Sequence, residues 1–217
     1  AGKVDAALVY SYNGLSWDRV SDQPMVDRPM PPAFGSGTIY FSSMNPSPDG
    51  NDWILTAGGT NTDHGCGYAP AYPDWEFPEY SKIHGRTSLL FYRIRKQGFT
   101  GMEAYGYQSR LRFRRMKLTG ENMTFNLCVP AGYAKFQILD DLMKPIPGFT
   151  FDDSERFVGD DVAHTPRWKN KSIGELAGRQ IRIEVEMQTG ILFSLEGDLL
   201  PNQGAQPEAN LGSPWPV

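Results

Sequence analysis

The residues with the clearest chemical potential lie in one long loop, residues 60–86, which is rich in aromatic and acidic side chains. Asp63 and His64 are adjacent there, and Asp74 and Glu76 are two residues apart. A His beside an Asp could act as an acid/base pair or a metal ligand, although a loop His more often only forms hydrogen bonds. Carboxylates at i and i+2 of an extended segment lie on the same side, within reach of one substrate.

The aromatic side chains of the same loop favour a second chemistry, the binding of sugars. Sugars have apolar C–H faces that stack on aromatic rings and hydroxyls that need polar partners, and the loop supplies both. The predicted sugar contacts are Asp63, His64, Tyr68, Tyr72 and Trp75. The alternative interpretation is a local mini-core, in which these rings pack on one another and fold the loop over its own domain.

A basic run follows on a strand: Arg110, Arg112, Arg114, Arg115 and Lys117. One interpretation is a cradle for uronate, sulfate or phosphate, since a guanidinium group donates two parallel hydrogen bonds to an oxyanion. The favoured interpretation is cross-strand pairing with Glu184 and Glu186, which lie on the charged face of another strand. The apolar residues change parity after Phe113, which predicts a bulge near Arg114-Arg115.

Three pairs of acidic residues could ligate calcium, which prefers several oxygen ligands: Asp140-Asp141, Asp152-Asp153 and Asp160-Asp161. The alternative is that they are solvated acids in turns. Beyond such structural calcium no cofactor is predicted, and the three His without a CxxC motif argue against a zinc site. Cys66 and Cys128 are expected to be free thiols, and the alternative is one disulfide bond between them.

Strands must position these groups, because the sequence has almost no helical periodicity and shows strand patterns instead. In the first half, strands are predicted at residues 6–12, 37–43, 53–57 and 88–95. The last of these is apolar at both parities at its start, which is typical of a strand covered on both faces. One short helical turn is predicted at 172–177, closed by Gly178.

Two turn signals separate the strands of the first half. Asn13-Gly14 is a strong hairpin signal, because Gly14 accommodates a positive φ, and Trp17 is expected to pack back over that hairpin. The second signal is the Pro-Asp-Gly-Asn segment at 48–51. Both turns are interpreted as structural.

The second half alternates more regularly, which predicts an antiparallel sandwich with one buried and one wet face. The expected inward side chains are Ala134, Phe136, Ile138, Ile181, Ile183, Val185, Met187, Ile191, Phe193 and Leu195. The domain boundary is placed near Gln97-Gly98. Residues 1–97 then form the first domain, 98–197 the sandwich, and 198–217 a tail or linker.

Composition excludes some classes of protein. A formal net charge of -4 argues against a nucleic-acid binder, which usually has a basic face. No apolar run approaches the roughly 20 residues of a membrane span, so none is predicted. With 40% hydrophobic and 21% charged residues the chain is expected to fold.

Several segments resemble proteins related to glycoside hydrolase family 32, which join a five-bladed β-propeller to a β-sandwich. The similar segments are residues 10–17, 53–65, 90–99, 144–169 and 192–194. The resemblance implies an all-β fold, with a partial β-propeller (the last blade region) followed by an antiparallel β-sandwich. It further implies a carbohydrate ligand, an extracellular or cell-envelope location, and a position for His64 near the axial mouth of the propeller.

The resemblance does not extend to the catalytic carboxylates. The family has its aspartate nucleophile and glutamate acid/base in the front blades, and the motifs that contain them do not occur in these 217 residues. No catalytic residue is therefore assigned. The chain alone is expected not to hydrolyse glycosides, because hydrolysis needs two carboxylates that flank the scissile bond.

An incomplete propeller has a consequence for partners. Residues 1–97 correspond to about one blade, and a lone blade leaves apolar faces in water. We therefore expect another polypeptide that supplies the remaining blades, unless the whole chain is a single sandwich. Two further hypotheses are a non-catalytic glycan-binding module and a structural subunit of a larger assembly.

Overall fold

The computed structural model describes residues 2–11, 14–31, 33–64 and 87–201. Regular structure in this part of the chain is β, apart from one 3₁₀ turn, and the paired strands are antiparallel, so the all-β prediction is confirmed. None of the described segments is a helix that could cross a membrane. The chain divides into two compact units, Ala1–Phe99 (unit 1) and Thr100–Val217 (unit 2).

Unit 1 contains two small antiparallel sheets. Strands β1 and β2 pair with each other, and the second sheet has the order β3-β4-β5. The strand bounds are β1 Val9–Tyr10, β2 Asp18–Arg19, β3 Thr38–Pro46, β4 Asp52–Thr60 and β5 Thr87–Arg95.

The glycines of both predicted turns of unit 1 are described, whereas Asn13 lies outside the described residues, and the hairpin of β1 and β2 is small. Gly14 and Gly50 each have a φ of 74°, as their turns require. The strand predicted at 6–12 is reduced to the two residues of β1. The expectation that Trp17 packs over this hairpin is wrong, since its side chain is 61% exposed. Two-residue strands offer no sheet surface on which a ring could pack.

The expectation that the 88–95 strand is covered on both faces is also wrong. β5 is an edge strand of its sheet, and Leu89 and Phe91 are 60% and 65% exposed. The intervening Leu90 and Tyr92 lie opposite the buried side of β4, at Ala57 and Leu55. The four successive side chains from Leu89 to Tyr92 are all apolar or aromatic, but only those of one face are half-buried inside unit 1, and those of the other face are exposed.

Unit 2 is one curled sheet of order β6-β9-β7-β8. Its strands are β6 Met102–Arg112, β7 Met116–Leu139, β8 Phe157–His164 and β9 Gln180–Pro201. β7 and β9 pair from the register Leu139↔Arg182 to Met116↔Pro201. Met116 also pairs with Ile181, at the opposite end of β9. A single residue that joins both ends of one strand requires that strand to curl into a half-barrel.

The concave side of this sheet holds the core of unit 2. Phe125, Phe136 and Ile138 have no exposed surface, and Phe149 packs edge-on against Trp168 with ring centroids 5.3 Å apart. The Trp168 indole N–H donates to the Phe136 carbonyl at 3.0 Å, which satisfies the one polar atom that this ring buries. The inward positions predicted at 134, 136 and 138, and at 181, 183, 185 and 187, are confirmed.

Two bulges reset the alternation. Between the pairs Arg112↔Glu184 and Met116↔Ile181, the chain advances four residues from β6 to β7 but only three on β9. The extra residue is the bulge predicted near Arg114-Arg115, which is confirmed. A second irregularity lies between the pairs Cys128↔Ile191 and Tyr133↔Gln188.

The second irregularity changes the inward set proposed for the end of β9, of which Leu195 does pack against the core. Thr189 there has a φ of 49°. Beyond it Leu192 is the buried residue, whereas Ile191 and Phe193 are only half-buried. Regular alternation cannot pass through a residue in a left-handed conformation. Sequence parity therefore fails at this point of the strand.

The ends of the elements are closed by local hydrogen bonds. β9 continues to Pro201, beyond the sandwich end expected at 197, and the Asp198 carboxylate accepts from the backbone and side-chain nitrogens of Asn122, both at 2.9 Å. The short turn predicted at 172–177 is confirmed as a 3₁₀ turn, Ile173–Leu176. Ser172 caps it, and Gly178 follows with a φ of 85°.

Gly132→Ala tests the close approach of β7 and β9. A Cβ at this position would lie 1.6 Å from the Gln188 carbonyl oxygen, so strands β7 and β9 would have to move apart. We expect a loss on the order of 3 kcal/mol in the free energy of unfolding, measured by urea denaturation. Gly58→Ala is the matched control, because that strand glycine has open space around its Cβ position. Equal urea midpoints for the wild type and Gly132→Ala would contradict this account.

Candidate functional site

The outward face of the β3-β4-β5 sheet, which we call the open face, is the candidate site of unit 1. Two rows of residues cross it. Tyr40, Gly58 and Leu89 are directly opposite one another, and Ser43, Thr56 and Phe91 form the next row. Because neighbouring strands lie about 4.8 Å apart, roughly 10 Å separates the two edge strands. Large side chains lie at both edges of the first row and at the β5 edge of the second, and small residues occupy the other positions.

Exposure distinguishes this face from the other side of the sheet. Tyr40 is 44% exposed, and Leu89 and Phe91 on the opposite edge are more than half exposed. On the reverse side, Ile39 and Ala57 are buried. A set of exposed large apolar side chains on one rigid sheet face marks a surface that interacts with something.

Hydroxyl groups occupy the floor between the two apolar edges. The Thr56 hydroxyl lies 2.5 Å from that of Ser43 and 3.0 Å from that of Ser42, and the Asn45 side-chain amide donates to Ser43 at 3.3 Å. Nothing lies within 4 Å of the position that a Cβ would take on Gly58. The open face therefore combines rings, hydroxyls and free space on one surface.

His64 extends the open face beyond Tyr40. Its ring meets the Tyr40 ring edge-on, with centroids 6.1 Å apart. The backbone of Gly2 fixes this position, because the His64 N–H donates to the Gly2 carbonyl at 2.8 Å and the Gly2 N–H donates back at 3.3 Å. The structure thus places one predicted sugar contact, His64, beside an exposed ring.

Asp63 does not share the orientation of His64. Successive side chains of an extended segment point to opposite sides. Accordingly, His64 is exposed, whereas Asp63 is half-buried and its Oδ1 atom is buried without a hydrogen-bond partner. No hydrogen bond joins the two side chains, so the geometry provides no acid/base dyad, in which one group must orient the other.

The end of the sheet next to Asp63 is held by a polar cluster. The Thr38 and Thr60 hydroxyls are 2.7 Å apart, and the Thr60 hydroxyl donates to the Thr62 carbonyl at 2.7 Å. Arg28 bridges Asp5, at 2.5 Å, and the Ser36 carbonyl, at 3.2 Å. These hydrogen bonds hold the strand ends in place. The polar groups that form them bond to one another and act as structural groups.

The other predicted sugar contacts, Tyr68, Tyr72 and Trp75, lie outside the described residues, as do the Asp74 and Glu76 carboxylates. Their roles stay predictions. Tyr40 and Phe91 were missed by the sequence reasoning. Alternation along each strand was the available signal, but alternation does not reveal which face of a sheet is left open, nor how the strands are aligned.

Within the basic run, Arg110 and Arg112 of β6 form the predicted cross-strand pairs, and the favoured prediction is confirmed for these two residues. Arg110 donates through Nε and Nη2 to Glu186 at 3.0 and 2.8 Å, and Arg112 Nε donates to Glu184 at 2.6 Å. Each pair is directly opposite in register. The two carboxylates are 5% and 6% exposed, so these guanidinium groups compensate buried charge.

The pKa of Glu186 shows how fully that charge is compensated. Burial acts to raise the pKa of this carboxyl, but hydrogen bonds from Arg110, Gln108 and Tyr133 outweigh burial and bring it below its usual value. Glu186 is therefore ionised at neutral pH, where it stabilises the fold rather than transferring protons.

Three of the acids proposed as calcium ligands accept local backbone hydrogen bonds, Asp140 and Asp153 in turns and Asp161 within β8. Asp140 Oδ1 accepts from the backbone of Leu142 and Lys144 at 2.9 Å, and Asp161 Oδ1 accepts from the Ala163 backbone at 2.8 Å. Asp153 accepts from Thr150, which lowers the pKa of this exposed carboxyl. No three His, Cys, Asp or Glu side chains gather within the described part of the chain, and calcium stays a prediction.

Comparison with protein-family models, with curated protein sequences and with solved structures gives no match. The resemblance to glycoside hydrolase family 32 stays a prediction, and the function must be argued from the site itself.

Arg110→Ala tests the charged ladder. We expect a loss of about 1–3 kcal/mol in the free energy of unfolding, because the buried Glu186 carboxylate would lose its charge-assisted bonds. Arg114→Ala, in the same run and without an ion pair to any described residue, should cost less than about 0.5 kcal/mol. Equal losses in urea denaturation would show that the pairing contributes nothing.

The pH dependence of stability adds a second readout for this pair. The folded pKa of Glu186 is depressed, so its contribution is present above the unfolded value of 4.5 and is lost as the pH falls through the folded pKa. Glu186→Gln should therefore flatten the fall in stability below pH 4.5.

Proposed function

We propose that this chain is a carbohydrate-contacting part of a larger all-β protein and that the open face of unit 1 is its sugar-binding surface. The observation on which the proposal depends is the arrangement of the exposed Tyr40 and Phe91 rings around a floor of hydroxyls at Ser43 and Thr56. Rings can stack on the C–H faces of sugar residues, while the hydroxyls between them exchange hydrogen bonds with sugar hydroxyls.

The flatness of a sheet favours an extended ligand over a small one. The two edge strands lie roughly 10 Å apart, which is about the length of two sugar residues. The rings at the two edges could therefore stack on successive residues of one oligosaccharide. His64, beside Tyr40, would add a hydrogen-bonding group at the end of this track.

The finer architecture of this proposal is a propeller blade followed by a sandwich, in a protein that acts outside the cell or in its envelope. The support from unit 1 is its small core, because the buried apolar side chains among its described residues are Ile39, Leu55 and Ala57. A blade needs neighbouring blades to cover it. Further strands on another polypeptide would supply that cover, together with the catalytic carboxylates if the whole protein is a hydrolase.

A structural subunit is the second candidate function. Leu89 and Phe91 on the edge strand β5 favour it, because exposed apolar groups beside a strand edge that pairs with no described strand are a template for strand addition. In that case protein, not sugar, covers the open face.

Substitutions on the open face test the sugar proposal. Tyr40→Ala and Phe91→Ala should each weaken oligosaccharide binding about tenfold, the equivalent of roughly 1.4 kcal/mol for one stacked ring. Binding is measured by titration calorimetry with oligosaccharides selected from a glycan array. Tyr105→Ala is the control, since Tyr105 is an 85% exposed tyrosine of unit 2. If the wild type binds no glycan, or if all three variants bind alike, the proposal fails.

The mass of the purified chain in solution tests the need for a partner. Because unit 1 has a small core and an exposed face, we expect the chain alone to form oligomers or to precipitate. The measurement is multi-angle light scattering, with Leu89→Ser/Phe91→Ser as the variant expected to reduce self-association. A wild-type monomer of 24.3 kDa that unfolds cooperatively would contradict the expectation.

A further inference from the structure

A second candidate site lies in unit 2 and shares no residue with the open face. It is a cleft of about 450 Å³ beside the edge strand β8. Its lining residues are Glu155, Arg156, Phe157, Asp161, Ala163, His164, Thr165 and Arg167. Cavities of roughly 300–1,000 Å³ are typical of small-molecule sites.

The cleft is built by an arch in β8. The rings of Phe157 and His164, at opposite ends of that strand, meet with centroids 4.0 Å apart, so the strand bends between them. The two sides of the arch are joined where the Glu155 N–H donates to the Arg167 carbonyl at 2.8 Å. The adjacent Trp168 is buried in the core. The lining groups are therefore held by a rigid frame before any ligand arrives.

Four charged side chains line this cleft, and none of them forms an ion pair with another described residue. They are two cations, Arg156 and Arg167, and two anions, Glu155 and Asp161. Elsewhere, Arg110 and Arg112 are matched directly to carboxylates. Arg156 instead lies over the Tyr133 ring, 4.6 Å from its centroid, which orients the guanidinium group without neutralising it.

His164 completes the lining. Its ring contacts Phe157 and stacks on Phe136, with centroids 5.6 Å apart for the second pair. Burial is the largest influence and lowers the pKa of His164, while Asp161 acts to raise it and Arg167 to lower it. The imidazole is therefore neutral at pH 7. His164 is half-buried, and no hydrogen bond joins its ring to another described residue, so one donor and one acceptor are left for a ligand.

We propose that this cleft binds a polyhydroxylated carboxylate of about monosaccharide size, in chemical class a uronate or an aldonate. Arg156 and Arg167 match the carboxylate, because a guanidinium group donates to two oxygens at once. Glu155 and Asp161 are acceptors for ligand hydroxyls, and His164 exchanges one further hydrogen bond. This inference does not depend on the proposed function, because no group of the open face takes part.

The balance of charge decides the class of ligand. Two arginines, one aspartate and one glutamate sum to zero with His164 neutral, so a bare phosphate or sulfate would meet two carboxylates as well as two cations. A neutral sugar would leave both guanidinium groups without an anion. A hydroxylated carboxylate satisfies both kinds of group.

The test uses the full chain with three probes: glucuronate, glucose and inorganic phosphate. Binding is followed by calorimetry and by the ring resonances of His164, one of only three histidines, identified by its loss in His164→Gln. We expect glucuronate to bind and shift these resonances, glucose to leave them unchanged, and phosphate to bind at least about tenfold more weakly.

Substitutions locate the binding. Arg156→Gln and Arg167→Gln should each weaken glucuronate binding by about tenfold or more, since each removes one charge-assisted contact. Both side chains belong to exposed residues, so circular dichroism should show an intact fold. Arg114→Gln, an exposed arginine outside the cleft, is the matched control and should bind like the wild type.

Three results would overturn the proposal. One is the failure of glucuronate to shift the His164 resonances, and another is equal binding of glucose or phosphate. The third is glucuronate binding that survives both cleft substitutions, which would place the ligand elsewhere. Open-face variants such as Phe91→Ala should not alter glucuronate binding here, so this proposal and the sugar-platform proposal fail separately.

Discussion

The pairing of β7 with β9 is the constraint on which unit 2 depends. These two strands run antiparallel over almost their whole length. Met116 is paired in register with residues at both ends of β9, so the sheet must curl. Curling creates a concave side that the Phe125, Phe136 and Ile183 side chains fill. The convex side then receives the Arg110–Glu186 and Arg112–Glu184 pairs directly opposite one another. The register of β7 with β9 thus shapes the core, and the register of β6 with β9 sets the charged ladder.

Polar groups fall into two classes when judged by whether their partners are already present. The ladder carboxylates and the turn acids Asp140 and Asp153 are matched inside the chain, and they act as structural groups. The cleft charges at Arg156 and Arg167 and the rings of the open face have no such match among the residues that the structure describes. A preorganised group without an internal partner is the physical reason to expect a ligand. The two proposals rest on this difference and not on residue type.

Prediction from sequence succeeded where local rules decide the outcome. Alternation identified Phe136 and Ile183 as core, the change of parity located the bulge at Arg114-Arg115, and opposite charges at Arg110 and Glu186 predicted their pairing. It failed at Trp17, at the doubly apolar start of β5 and beyond Thr189. The first two failures depend on what covers a strand, and the third depends on one residue in a left-handed conformation. Neither cause can be inferred from the alternation of apolar and polar residues.

The sequence by itself determined that the chain is β-structured, which residues alternate inward at 134–138 of β7 and 181–187 of β9, and where turns separate the strands. These properties depend on neighbouring residues only. Tertiary structure alone decided that Tyr40 and Phe91 share one exposed face, and that His164 meets Phe157 across the arch of β8. Strand order and curvature bring these groups together, and they follow from long-range pairing whose register no short segment of the chain encodes.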